Sequence, residues 1–141
     1  MAGARTVTII DASTYVDSLV VSGEMGQAAR AWLRTKTALQ VPGVFPAEVT
    51  SALRAMVLQG DLHPIRADTA RQRLQAVRLV EYPFAPFAER VWQLRNNLSV
   101  YDAWYVALAE SLDMGLVTSD ARLVNTPGPR CNVRHVLDAR P

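Results

Sequence analysis

The chain is 141 residues long, 50% hydrophobic and charged +2 at pH 7, which suits one compact domain, residues 1–141, with a two- or three-layer core. Cys131 is its only cysteine, so an internal disulfide, a thiolate zinc cluster and a thiol redox pair are excluded. No stretch approaches the roughly 18 apolar residues of a membrane span, and the N-terminus turns polar at Asp11 before a signal-peptide core can form. The expectation is a soluble, unprocessed, cytoplasmic protein with no membrane partner.

Val7 to Ile10 is a short β-branched run that stops at Asp11. It reads as a buried parallel strand delivering a carboxylate at its C-terminal end. Ser13 or Thr14 can cap a helix reaching Val20, and after Gly23 the spacing of Met25, Ala28, Ala29, Trp32 and Leu33 predicts a second helix over Glu24–Lys36. Ala38–Val41 reads as a strand ended by Pro42-Gly43. Pro46 suits the first turn of a third helix running to Gly60, which places Glu48 in that turn.

The polar segment Asp61–Arg66 leads to a helix from about Ala67 to Leu79, followed by a brief strand over Val80–Tyr82. Pro86 begins another helix, ended by Asn96-Asn97. Ser99 is a natural cap for Val100–Leu112, and Gly115–Thr118 then reads as a strand with Asp120 just past its end. Asn132–Val136 is the last predicted strand. Alternation of strands and helices implies an α/β fold: a parallel sheet flanked by helices, with ligands bound beyond the C-terminal strand ends. No internal repeat or low-complexity tract divides the chain.

Four acids fall at the starts and ends of these elements: Asp11, Glu48, Asp102 and Asp120. Singly, each has an ordinary structural explanation, as a favourable charge in a first helical turn or as a turn former. Gathered in one pocket they would leave nine of the 13 acids against 15 bases elsewhere, a balance of +6. A basic exterior around an acidic pocket fits a polyanion, and Lys36 is the only lysine among bases that are otherwise arginine, the side chain best matched to phosphate. Arg54, Arg71, Arg73, Arg78, Arg90 and Arg95 are possible phosphate contacts that sequence alone does not sort.

The segments around the acids carry a resemblance. Ile-Ile-Asp-Ala-Ser, Pro-Ala-Glu-Val, Ser-Val-Tyr-Asp-Ala-Trp-Tyr-Val-Ala-Leu-Ala and Leu-Val-Thr-Ser-Asp-Ala-Arg-Leu occur in that order. Together they closely resemble PIN-domain ribonucleases, in particular the free-standing VapC-type toxins of bacterial toxin–antitoxin pairs, over Thr8 to about Val136. The resemblance implies a three-layer α/β/α sandwich around a parallel sheet of four to five strands. It also implies RNA cleavage with Mg²⁺ or Mn²⁺, a cognate antitoxin and a homodimer. Asp11, Glu48, Asp102 and Asp120 match the family's four metal-site acids, and Ser13 and Thr118 match its supporting hydroxyl positions.

Hard divalent cations prefer oxygen ligands and keep several waters, so a carboxylate cluster needs neither His nor Cys. The expected reaction is attack of a metal-activated water on a phosphodiester, leaving a 3′-hydroxyl and a 5′-phosphate. Asp11, Glu48 and Asp120 are expected to bind the principal cation, directly or through water, with Asp102 completing the site or orienting the nucleophilic water. His63 and His135 lie far apart in sequence, and Tyr101, Trp104 and Tyr105 read as core or interface. A haloacid-dehalogenase reading fails because Ser13 stands where a second acid is required, and a receiver domain lacks its late lysine. The alternatives that remain are an RNA-binding or regulatory PIN module without catalysis and a housekeeping RNA-processing nuclease.

Overall fold

Consecutive side chains of an extended strand point to opposite faces, so a strand covered on both sides must be apolar at successive positions. The computed structural model, which describes residues 8–141, shows this at strand β1 (Thr8–Ile10). Ile9 packs into the main core with Val41, Phe45, Leu108 and Leu116, whereas Ile10 packs into a smaller core with Ala29, Trp32, Val117 and Val136. Leu116 and Val117 of β4 (Gly115–Thr118) divide in the same way. Two cores separated by one layer of strands make the three-layer α/β/α sandwich. Val7, expected to open the first strand, and the N-terminal residues before it lie outside the described residues.

β1 pairs in parallel with β4, Ile10 opposite Val117, and β4 pairs in parallel with β5 (Val133–His135), Leu116 opposite Val133. β2 (Leu39–Pro42) and β3 (Leu79–Tyr82) form a second parallel pair, Leu39 opposite Leu79, and β2 lies against β1. All the ladders are parallel, as expected. They form hydrogen-bonded groups of three and two strands among the described residues, not one continuous sheet. Parallel pairing brings Asp11, after β1, and Asp120, after β4, to the same end of the layer.

Helices α1 (Ala12–Val20) and α2 (Gly23–Arg34) form a tight pair, followed by α3 (Phe45–Leu58) and α4 (Pro64–Ala76). A 3₁₀ turn at Ala85–Phe87 runs into α5 (Ala88–Gln93), and α6 (Val100–Ser111) and α7 (Ala121–Val124) complete the set. α6 is the central helix: Ala103, Val106, Ala107, Leu108 and Ala109 are all at most 3% exposed. Its alanines let the backbone approach the strands closely. The bidentate pair of Arg90 with Glu110, at 2.7 and 3.0 Å, ties α5 to α6, and Glu110 also accepts the Arg130 backbone N–H at 2.9 Å.

Several boundaries differ from the sequence reading for identifiable reasons. α1 is capped by Asp11, whose Oδ1 accepts the Thr14 N–H at 3.0 Å, and not by Ser13 or Thr14. α4 starts at Pro64 because the His63 Nδ1 caps the Ile65 N–H at 3.1 Å and proline pre-sets the first turn. It ends at Ala76, and Leu79 is drawn into β3 by its pairing with Leu39. α5 stops at Gln93, short of Asn96-Asn97.

Gly26 packs against the backbone of Val21, the C-cap of α1. A Cβ there would stand 1.8 Å from the Val21 carbonyl oxygen and 2.8 Å from Arg30 Nη1, which itself donates to that oxygen at 2.9 Å. Ordinarily Gly→Ala within a helix gains about 1 kcal/mol from propensity. Gly26→Ala is therefore expected to reverse that sign and destabilise the protein by about 1–3 kcal/mol, read by urea denaturation. An unchanged or raised midpoint would show that the α1–α2 turn yields freely.

Candidate active site

An aspartate placed directly after a buried strand is itself buried, and its ionised form then depends on hydrogen bonds. Asp11 is 7% exposed. Its Oδ1 accepts the Ser13 hydroxyl at 2.7 Å as well as the Thr14 N–H, and the Thr118 side chain also bonds its carboxylate. Burial still prevails and pushes the Asp11 carboxyl above its ordinary range. Thr118, fully buried, accepts the Asp120 N–H at 3.0 Å on its hydroxyl, so one side chain links the first acid to the last. Ser13 does similar work by accepting the Ser119 N–H at 3.3 Å.

Glu48 lies in the first turn of α3 and is half-buried. Its Oε1 accepts the Tyr105 hydroxyl at 2.7 Å. Burial raises its pKa, and the charges of Asp102 and Asp11 raise it further, against the Tyr105 bond. Asp102, in the first turn of α6, donates its backbone N–H to Ser99 Oγ at 3.1 Å. Its carboxyl is also raised, first by burial and then by Asp120, with the Ser99 bond and Arg122 opposing. Asp120 is the exception, because Arg122 grips it with Nε to Oδ1 and Nη2 to Oδ2, both at 3.2 Å, and holds its pKa down.

The four acids therefore sense one another in sequence, Asp11 with Glu48, Glu48 with Asp102 and Asp102 with Asp120. Among the described residues no three acids, histidines or cysteines form a ready-made metal cage. Asp11 is engaged by hydroxyls and Asp120 by a guanidinium. The donor set nevertheless fits a hard divalent cation, which takes oxygen ligands through one or two carboxylates and retains water. Repulsion among partly buried carboxylates is the feature that a cation would relieve.

Two groups escaped the sequence reading. Tyr105, 2% exposed, reaches Glu48 and also accepts a bond from the Ala12 backbone, so it ties α3 and α1 to α6. Burial and the Glu48 charge push its hydroxyl far up, so it stays a donor. The available signal was its position three residues after Asp102, on the same helical face. Arg122 was legible only as the second residue after Asp120. His63 is exposed at the α4 cap, whereas His135 Nε2 meets the Ser119 carbonyl oxygen at 3.2 Å, beside the Asp120 turn.

The PIN domain family profile matches residues 8–129. Ribonuclease VapC1 of Mycobacterium tuberculosis is 37% identical over 129 residues, which covers 91% of this chain and 96% of that protein. The chain belongs to the PIN-domain family, among its VapC-type ribonucleases. Ribonuclease VapC9 of the same organism is 35% identical, with 89% of this chain and 94% of that one covered. Among solved structures, a Pyrobaculum aerophilum protein superposes with a TM-score of 0.67 at 21% identity, covering 96% of this chain and 88% of that one. FitAcB of Neisseria gonorrhoeae gives 0.64 at 16% identity, covering 94% and 100%. These two likenesses establish the fold. PIN-domain VapC nucleases as a family use a divalent metal, which agrees with the all-oxygen donor set. Among the described residues no helix is long and apolar enough to cross a membrane.

The raised carboxyls set the pH dependence of the metal-free protein. A carboxyl whose folded pKa exceeds its unfolded value contributes stability below the unfolded value, near 3.8 for Asp11, and loses it as pH rises through the folded one. Relative to Asp11→Asn, the metal-free wild type is expected to become progressively less stable as pH rises from about 4 through the raised folded value. Thermal melts of both proteins in chelator read this difference, and a constant gap across the range would contradict it.

Proposed function

We propose that this PIN-domain ribonuclease is an Mg²⁺- or Mn²⁺-dependent endoribonuclease, the toxin of a toxin–antitoxin pair, with Asp11, Glu48, Asp102 and Asp120 as its metal-binding and catalytic acids. The whole chain, residues 1–141, serves as one domain, and its setting is the cytoplasm. The observation that carries the reading is the mutual repulsion of four carboxylates brought from four separate elements to one end of a parallel layer. An arrangement with that electrostatic cost has a function in holding cations against phosphate. A non-catalytic RNA-binding module gives no reason to keep three raised carboxyls together.

When bound, a divalent cation lowers the pKa of a water and neutralises charge on the phosphate. The chain's own groups position the rest. Ser13 and Thr118 fix the Asp11 carboxylate, Tyr105 orients Glu48, and Ser99 fixes the turn that presents Asp102. Water oxygen adds to phosphorus, the bond to the 3′ oxygen breaks, and a proton passes to that oxygen. The products are a 3′-hydroxyl and a 5′-phosphate.

Cleavage of RNA by the purified chain should require Mg²⁺ or Mn²⁺ and stop in chelator. Asp11→Asn or Asp120→Asn should lower it at least ~100-fold, since each removes a charge from a preorganised site. Glu48→Gln and Asp102→Asn should behave alike, and a double change should cost less than the product of two single ones. Tyr105→Phe keeps the acids and is expected to lose about tenfold through misorientation of Glu48. Undiminished cleavage in excess chelator refutes the reading.

For partners, we read a cognate antitoxin and a second copy of the chain. Leu58, Ile65, Trp92 and Tyr101 are each more than half exposed, which favours covered apolar surface in the assembled state. FitAB and FitAcB are solved relatives in fold, and the former is described as bound to a DNA fragment. An antitoxin cation directed at the acids would relieve the same repulsion as metal, so inhibition should weaken as Mg²⁺ rises. Expression alone should arrest growth and co-expression with the antitoxin should restore it, while Asp11→Asn protein should be harmless. Light scattering at tens of micromolar should read the mass of two copies. Full arrest by Asp11→Asn would separate toxicity from the acids, and a monomer mass would remove the homodimer.

A further inference from the structure

The carboxylate end of the layer is a poor place to gain affinity for RNA, since its acids repel phosphate until cations arrive. A cleft of about 460 Å³ lies at the other end, lined by the starts of β1 and β4 (Thr8, Gly115) and by Asn132, just before β5. Lys36, Arg134 and Arg140 line it, with Thr35 and Trp32, and no acidic side chain is among its described lining residues. The ion pairs among the described residues join Arg71 to Asp68, Arg90 to Glu110 and Arg122 to Asp120. None of the three cleft cations belongs to them.

Two of the cations are held in place by something other than a carboxylate, and Arg140 is exposed. Lys36 Nζ stands 5.9 Å from the centroid of the Trp32 ring, and Trp32 is pinned by its Nε1, which donates to the Ala139 carbonyl oxygen at 3.2 Å. Burial lowers the Lys36 pKa with no facing acid to offset it. With its amide oxygen turned toward Arg134, Asn132 accepts Arg134 Nε at 2.8 Å and Nη2 at 3.0 Å, which steadies the guanidinium plane. Arg134 lies on β5, which among the described residues pairs only with β4, and His135 beside it faces the Asp120 turn. The β5 edge thus joins the cleft to the acids, across a strand length of roughly 10–13 Å.

We infer that the cleft of Lys36, Arg134 and Arg140 binds phosphates of the RNA flanking the scissile bond, as an anchoring site separate from the carboxylates. The inference rests on the ribonuclease reading. A desolvated lysine, a steadied guanidinium and the exposed Arg140 together give an electrostatic grip without base readout, suited to a backbone that runs along the β5 edge. Metal at the acids and cations at the cleft then hold the same strand at two points, which raises affinity by linkage.

The test uses the full chain carrying Lys36→Gln, Arg134→Gln and Arg140→Gln. In an Asp11→Asn background, binding of a long mixed-sequence single-stranded RNA is titrated against salt. Each neutralised cation should reduce the slope of log affinity against log salt by about 0.7. With Asp11 intact, the triple variant should raise KM for the long RNA about tenfold, leave its kcat alone, and leave turnover of a tetranucleotide alone. Arg134→Lys with Arg140→Lys keeps the charges and should retain the slope. Circular dichroism confirms folding of each variant. An unchanged slope and KM overturn the inference while RNA cleavage stands. So does equal loss on the tetranucleotide, which would place the effect at the acids, or loss of poly-glutamate binding with RNA binding intact, which would make the cleft a protein-docking site. If the unmodified chain cleaves no RNA and Asp11→Asn binds none, the ribonuclease reading falls with it.

Discussion

A carboxylate at the end of a central strand, with 7% of its surface exposed, must be met by donors or give up its charge. Asp11 meets that demand with Ser13, Thr14 and Thr118, and much of the local architecture follows. The helix that begins at Ala12 supplies the Thr14 N–H, while β4, the neighbouring strand, supplies the Thr118 hydroxyl. That hydroxyl also fixes the Asp120 turn. The first acid is therefore also a helix cap and a seam between two strands. Its hydrogen bonds do not cancel the desolvation, and this residual instability makes the region receptive to positive charge.

Different means balance the other acids. Tyr105 supports Glu48 from the buried face of α6, and Arg122 pairs with Asp120 in the open, where its side chain is 92% exposed. An exposed pair of this kind is worth little in stability, because solvent screens it. It yields readily to a stronger cation, whereas the Tyr105 bond does not have to move. The acids thus range from firmly held to easily released.

How much of this was legible depended on whether the determinant was local. The apolar steps at Ile9-Ile10 and Leu116-Val117 are local, and they disclose strands buried on both faces. Ser99 before Val100 and Pro46 before Glu48 are local too, and both helix starts stand where the sequence puts them. The acids were found through their surrounding segments, because periodicity alone cannot distinguish a capping aspartate from a reactive one. What was not legible depended on partners distant in sequence. Leu79 belongs to β3 because Leu39 lies opposite it, and Tyr105 matters because Glu48, 57 residues earlier, reaches its hydroxyl. Arg90, one of six arginines that sequence alone could not sort, is committed to Glu110. The cleft cations Lys36, Arg134 and Arg140 are spread over the chain, and only the fold assembles them.

The register of β1 on β4 also bears on the order in which the molecule comes into being. Ile10 lies opposite Val117, so the central ladder closes only after more than a hundred intervening residues have been made. Contacts of such separation form late, and a chain still emerging from a ribosome has no β4 to offer. Until Thr118 arrives, Asp11 lacks one of its donors and Asp120 does not yet exist. A partly synthesised chain that stops short of β4 therefore cannot assemble the acids.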